Sequence, residues 1–65
     1  MDAIKTGVFI AAVRRERNMT QAELAARLHV TDKAVSKWER GAGLPDISLI
    51  EPLAAALDVS VLELM

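Results

Sequence analysis

The chain has 65 residues, enough for one domain whose single core must use nearly every apolar residue. It has no cysteine, which excludes a disulfide framework and a thiolate metal site. No apolar run approaches the roughly 20 residues of a membrane span, and the start lacks a signal-peptide pattern. The composition is 52% hydrophobic, with one Trp, one Phe and no Tyr, and favours short helices over strands. We therefore expect one all-α, cytoplasmic domain over residues 1–65, with no membrane contact.

The net charge of −1 hides an uneven distribution. Residues 14–40 hold seven basic and four acidic side chains, whereas residues 41–65 hold four acidic side chains and neither Lys nor Arg. Nucleic-acid-binding domains usually carry a basic surplus, so the average argues mildly against such a partner. The asymmetry nevertheless predicts one basic side and one acidic side.

A first helix is predicted over about residues 4–17, followed by Asn18 as its terminator. Ile10, Val13 and Arg14 share one face at the i, i+3, i+4 spacing, and Phe9 lies beside that face. This stripe indicates the side of the helix that faces the core.

Two further helices follow in close succession. Thr20 and Glu23 have the spacing of a capping box, which starts a second helix that ends near His29. Thr31 is the expected N-cap of a third helix over residues 32–40, which Gly41 stops. The predicted inward residues are Leu24, Ala25, Leu28, Val35 and Trp38. The short connection is typical of a helix-turn-helix, here over about residues 21–40.

The remaining chain is predicted to form a loop and two short helices. Asp46 or Ser48 caps a fourth helix over about residues 50–57, and Ser48 with Glu51 has capping-box spacing. Pro52 is tolerable only near the first turn of that helix. Another capping box, residues 60–63, starts a fifth helix.

The sequence offers little for catalysis. With one His and neither Cys nor Tyr, it has no nucleophile-and-base pair or metal-ligand cluster to assemble. His29 is expected to be a helix-terminal residue. We expect no enzyme activity, no metal and no cofactor.

The third helix carries a polar outer face formed by Asp32, Lys33, Ser36 and Lys37. In a helix-turn-helix, such a face can enter the major groove of DNA while the preceding helix crosses the phosphate backbone. The same pattern also suits a merely solvated surface, and the helical pattern alone favours neither.

Five motifs, in order along the chain, decide between these interpretations. They are TQAELA at residues 20–25, VT at 30–31 and VSKWERG at 35–41, with LPDIS at 44–48 and LDVSV at 57–61 following. Over residues 6–65 the chain resembles the phage-repressor/Cro family, also called XRE-type regulators. This resemblance implies a compact five-helix, lambda-repressor-like domain that binds a double-stranded DNA operator and most often represses transcription.

The resemblance also implies roles for individual residues. Thr31, Asp32, Lys33 and Lys37 occupy positions that contact base edges, and Ser36 belongs to the same face. Gln21 and Arg40 occupy positions that contact the DNA backbone. Similar proteins join the first and third helices through an Arg–Glu pair, here Arg14 and Glu39, which implies a partly buried link with Arg14 near DNA.

The loop after the third helix departs from the family pattern. Many members carry Lys or Arg there, whereas residues 41–45 are uncharged, leaving the amides of Gly41 and Gly43 as phosphate donors. A single domain should then bind DNA weakly, so we expect a homodimer on DNA. Because the acidic end cannot face DNA, the expected dimer contact uses the last two helices, with Val61 and Leu64 near the axis.

An alternative function is a protein-interaction module of the antitoxin or antirepressor-partner type. It would use the acidic, apolar C-terminal third (Leu49, Leu53, Leu57, Val61, Leu62 and Leu64). The helices need most of those residues for their own core. Salt- and sequence-dependent binding to duplex DNA distinguishes the two functions.

Overall fold

The computed structural model describes residues 1–65 and contains five α-helices and no strand. The helices are α1 (Ala3–Glu16), α2 (Gln21–Leu28), α3 (Asp32–Glu39), α4 (Ile50–Leu57) and α5 (Val61–Leu64), and a 3-10 turn (Ile47–Leu49) precedes α4. The predicted all-α, five-helix architecture is therefore confirmed.

Side-chain caps define where the helices begin. The hydroxyl of Thr20 accepts from the amide of Glu23 while the Glu23 carboxylate accepts from the amide of Thr20, and Ser60 and Glu63 repeat the arrangement. Thr31 caps α3 by accepting from the amide of Ala34 at 3.2 Å. These bonds satisfy donors that have no partner within the helix, and all three predicted caps are confirmed.

Four residues with positive φ end the helices. Asn18 and His29 have φ of 57°, Asp58 has 56° and Gly41 has 71°. Only Gly41 adopts this left-handed conformation without a steric penalty from a Cβ. The expected roles of Asn18 and Gly41 as terminators are confirmed.

The core joins α1, α2, α3 and α4, and α5 closes it against α4 and α1. Its fully buried side chains are Ile10, Leu24, Val35, Leu53, Leu57 and Leu64. Each contributes on the order of 2 kcal/mol by leaving water. Trp38 belongs to the same cluster, so α3 is fixed to the core by Val35 and Trp38 on one face.

The entry to α4 differs from the predicted capping box. Ser48 donates its hydroxyl to the Asp46 carboxylate, which also accepts from the amide of Ser48. Asp46 therefore caps the 3-10 turn, and the expected Ser48–Glu51 box is wrong because α4 begins after that turn without a side-chain cap. Pro52 is the third residue of α4, where its missing amide hydrogen costs no helical bond.

Arg17 ties the end of α1 to the end of α4. Its Nε donates to the carbonyl oxygen of Leu57 at 3.0 Å, and its Nη2 donates to that of Asp58 at 3.3 Å. A cation here satisfies carbonyls that the helix leaves free and complements the helix dipole. The tether fixes the helix-turn-helix to the C-terminal half.

Candidate nucleic-acid interface

The period of the α-helix gives α3 one buried face and one exposed face. Val35 and Trp38 are buried, which turns Asp32, Lys33 and Lys37 outward into solvent and leaves Ser36 half-buried. Neither lysine makes an ion pair or a side-chain hydrogen bond with the rest of the chain. Two cationic donors are therefore free on one rigid surface.

Thr31 and Arg40 lie at the two ends of this face. The Thr31 hydroxyl accepts the capping bond, so its own hydrogen remains available to a ligand. Arg40 lies just past the last residue of α3 and makes one long contact, 3.4 Å, from its Nε to Ser36 Oγ. Most of its five donors remain free.

The loop after α3 lies against Lys37. A Cβ added at Gly43 would come within 3.1 Å of Lys37 Cε, so the lysine stem passes over the glycine. The amide of Gly43 makes no hydrogen bond within the chain, whereas the amide of Gly41 donates to the carbonyl of Trp38 at 3.0 Å. The expectation that the Gly41 amide donates to phosphate is therefore wrong, because that amide closes the end of α3.

Arg14 and Glu39 form the predicted link between α1 and α3. The guanidinium donates from Nε to Oε2 at 2.6 Å and from Nη2 to Oε1 at 3.0 Å, and its Nη1 donates to the carbonyl of Met19 at 2.7 Å. The two side chains are 10% and 6% exposed. The fork geometry fixes the end of α3 against α1.

Burial limits what Arg14 can offer to DNA. The residue is 8% exposed and its guanidinium uses three of its five N–H donors inside the domain, so its expected contact with DNA stays a prediction. The next residue, Arg15, is exposed and was missed by the sequence analysis. Two adjacent arginines look equivalent in a sequence, but the helical register of α1 buries Arg14 and exposes Arg15.

Gln21 completes the buried polar cluster. Its Nε2 donates to Glu39 Oε1 at 3.0 Å, which leaves its oxygen and one amide hydrogen for other partners. Burial acts to raise the pKa of Glu39, but hydrogen bonds from Arg14 and Gln21, with the charges of Arg14 and Arg15, outweigh it and lower that pKa. The pKa of Arg14 is raised, chiefly by its hydrogen bond to Glu39. Glu39 is thus held as a carboxylate between the three helices.

The predicted dimer contact is only partly at the surface. Leu64 is 1% exposed because α5 turns it into the core, so its expected place at a dimer axis is wrong. Val61 is half-buried and lines a largely apolar groove with Leu44, Pro45, Ile47, Ile50 and Met65, and Met1 and Glu51 complete the lining. Ile47 is 88% exposed, and Leu62 on α5 is 85% exposed.

No group of three or more His, Asp or Glu side chains is arranged to hold a metal ion. None of the helices has both the length and the apolar character needed to cross a membrane.

Comparison with known proteins assigns the family. A family model described as helix-turn-helix matches residues 10–64. The chain belongs to this helix-turn-helix family, of the phage-repressor (XRE) type. The expectation drawn from the sequence motifs is therefore confirmed.

Three relatives illustrate this helix-turn-helix family. The chain is 39% identical over 59 residues to the uncharacterized HTH-type transcriptional regulator y4dJ of Sinorhizobium fredii, covering 91% of this chain and 77% of that protein. It is 36% identical over 53 residues to the HTH-type transcriptional activator BcrR of Enterococcus faecalis, covering 82% of this chain and 26% of BcrR. The chain thus spans about a quarter of BcrR. The P22 c2 repressor, solved with a synthetic operator, superposes with a TM-score of 0.88 at 32% identity, covering 92% of this chain and 91% of that one.

Proposed function

We propose that the chain is the sequence-specific, double-stranded DNA-binding domain of a transcriptional regulator, with α3 in the major groove. The observation that carries this proposal is the unpaired cationic face of α3, held in a fixed orientation by the Arg14–Glu39 link. The similarity to the P22 c2 repressor, which was solved with an operator, supports it.

The residues of α3 have distinct roles in this proposal. Lys33 and Lys37 donate to O6 and N7 of guanines, while Asp32 accepts from N4 of cytosine. Because a carboxylate repels phosphate, Asp32 also disfavours placements of α3 that would bring it close to the DNA backbone. Thr31 and Ser36 supply shorter polar contacts to base edges.

Contacts to the DNA backbone position α3 but do not contribute directly to sequence specificity. Gln21 lies at the start of α2, where the free hydrogen of its amide side chain donates to a phosphate. Arg40 and the amide of Gly43 contribute from the far end of α3. Arg14 acts within the domain, by fixing α3.

We further propose that the regulator represses. Occupying an operator is sufficient to exclude other proteins from that DNA, whereas activation requires an additional productive contact. The P22 c2 protein is a repressor and BcrR is an activator, so this family contains both outcomes.

The proposed assembly on DNA is a homodimer. Four acidic side chains and no basic ones occur after residue 40, so this end of the domain faces away from phosphate. The groove beside Ile47 and Val61 offers an apolar surface there, and a two-fold pairing through it uses the same patch twice. The two α3 helices of such a dimer are then about 34 Å apart, which is one turn of DNA.

The same apolar groove favours the second candidate function, a protein-interaction module. Selection of duplexes from a random pool by the purified chain, followed by salt titration, separates the two. We expect enrichment of a two-fold repeat and an affinity that falls steeply with salt. A pool that stays random, with no salt-dependent binding, contradicts the DNA-binding function and leaves the interaction module.

A further inference from the structure

The loop that follows α3 is held at a fixed place beside Lys37. The amide of Gly41 donates to the carbonyl oxygen of Trp38, and the amide of Ala42 donates to that of Lys37, each at 3.0 Å. Because Gly41 has a φ of 71°, these two bonds form the Schellman motif that often ends a helix. The backbone of residue 43 therefore follows directly on a turn that is hydrogen-bonded to α3 itself.

Gly43 leaves room for the side chain of Lys37. A Cβ added at residue 43 would come within 3.1 Å of Lys37 Cε, 3.7 Å of its Cδ and 3.8 Å of its Cγ. Three successive carbons of the lysine stem thus lie alongside this one glycine. Carbon atoms in favourable contact are roughly 3.5–4.0 Å apart, so a side chain at residue 43 would displace the end of the stem.

Conformational freedom does not account for this glycine. Gly41 is the glycine that has a positive φ, whereas Gly43 has a backbone conformation that other residues can adopt. The three atoms nearest to a Cβ at residue 43 all belong to Lys37. The missing side chain therefore acts first on the path of the lysine stem.

We infer that Gly43 is a specificity-determining residue, which sets the base that Lys37 reaches by leaving its stem room to lie against the loop. The inference rests on the proposed function, in which Lys37 donates to a guanine. A lysine stem is flexible and loses rotamer freedom when its ammonium binds. A stem that already lies along the loop loses less, so its ammonium reaches one place on the DNA in preference to neighbouring places. Gly43 is thus a positioning residue that acts through Lys37.

A close approach of DNA to the backbone is the other reason for a glycine at this position, since the amide of Gly43 makes no hydrogen bond within the chain. The two roles differ in their consequences. A Cβ that obstructs phosphate weakens binding to every duplex, whether or not residue 37 is a lysine. A Cβ that displaces the Lys37 stem changes the preference at one base pair and has no such effect once the lysine is removed.

The test is a double-mutant cycle of Gly43→Ala and Lys37→Ala. Affinity is measured for the duplex selected from the random pool, for that duplex changed at each position, and for random DNA. Lys37→Ala identifies the base pair that Lys37 contacts. Lys33→Ala identifies the pair contacted by Lys33, which is an internal control because Lys33 lies one turn earlier on α3. Urea unfolding checks that every variant is folded.

We expect Gly43→Ala to reduce discrimination at the Lys37 base pair about threefold to tenfold, a part of the preference that one good side-chain–base contact provides. Preference at the Lys33 base pair should be unchanged, and in the Lys37→Ala background Gly43→Ala should have no further effect on preference.

Three results overturn the inference and leave DNA binding intact. They are an unchanged preference in Gly43→Ala, equal losses on selected and random DNA, and a loss that persists in the Lys37→Ala background. The last two would assign residue 43 to the approach of the DNA backbone. A wild-type chain that binds no duplex overturns the proposed function and the inference with it.

Discussion

Gly7 in α1 lies directly against the backbone of Trp38 in α3. A Cβ at residue 7 would come within 2.2 Å of the Trp38 carbonyl oxygen and 3.0 Å of the Glu39 carbonyl oxygen. The obstruction is backbone, which cannot rotate away as a flexible side chain can. The absence of a side chain at residue 7 therefore sets how closely α3 packs on α1.

Gly7→Ala should lower the free energy of unfolding by about 2 kcal/mol or more. Alanine improves helix propensity by ~1 kcal/mol, but overpacking that shifts side chains and backbone typically costs about 1–3 kcal/mol and occasionally more, and an overlap with backbone atoms lies at the upper end of that range. Urea unfolding measures the effect. Gly43→Ala is the matched control, since its Cβ meets only the flexible stem of Lys37 at 3.1 Å. Equal stability of the two variants would show that α1 and α3 are not locked at Gly7.

The Arg14–Glu39 link predicts strong coupling in unfolding. Glu39→Ala leaves a buried guanidinium without its carboxylate, so we expect a loss of about 3 kcal/mol, compared with at most ~1 kcal/mol for an exposed pair. Arg14→Ala should cost a similar amount, and the double variant should cost much less than the sum. Strictly additive losses in the double-mutant cycle would refute the link.

The pH dependence of stability follows from the lowered pKa of Glu39. The folded state holds the carboxylate more strongly than the unfolded chain does, so its stabilisation is full above the unfolded pKa of about 4.3. It is lost as the pH falls through the lower, folded pKa. The difference in unfolding free energy between wild type and Glu39→Gln should therefore be largest near pH 7 and shrink below pH ~4. Glu51→Gln corrects for removing one exposed carboxylate, and a difference that grows on acidification would contradict this account.

The proposed dimer predicts that one substitution can abolish cooperative binding without affecting the fold or binding to a single half-site. Ile47 is 88% exposed, so Ile47→Glu should leave the fold intact while placing a charge in the apolar groove. Binding to a duplex with one half-site should match the wild type. Occupancy of two half-sites should lose its cooperativity, as footprinting can measure. Cooperativity that survives the substitution would exclude this groove as the dimer contact.

Local chemistry made much of the fold predictable. Two capping boxes, Thr20 with Glu23 and Ser60 with Glu63, each lie within four residues and satisfy amide donors at the start of a helix. Their geometry can therefore be predicted from the sequence alone. The starts of α2, α3 and α5 followed from such side-chain caps, whereas α4 begins without one. The polar face of α3 was predictable because Val35 and Trp38 fix which side is buried.

The remaining features depend on contacts between distant segments. Gly7 gave a weak signal, a glycine inside a helix, but its neighbour is Trp38, thirty-one residues away in the chain. The attachment of Arg17 to the carbonyls of α4 also has no local signature. Leu64 was assigned to a surface because the packing of a four-residue helix at the end of the chain cannot be inferred from its own period.

The central claim is that α3 reads base edges, and Lys37→Ala tests it most directly. Lys37 projects from the outer face with its stem over Gly43, so truncation removes one donor without opening the core. Affinity is measured on the selected duplex, on the same duplex changed at each position, and on random DNA, with Lys5→Ala as the control for charge. We predict a loss of about 1–3 kcal/mol on the selected duplex and relaxed preference at one position, with a smaller loss on random DNA. Equal losses on selected and random DNA would contradict base reading and make Lys37 a phosphate contact.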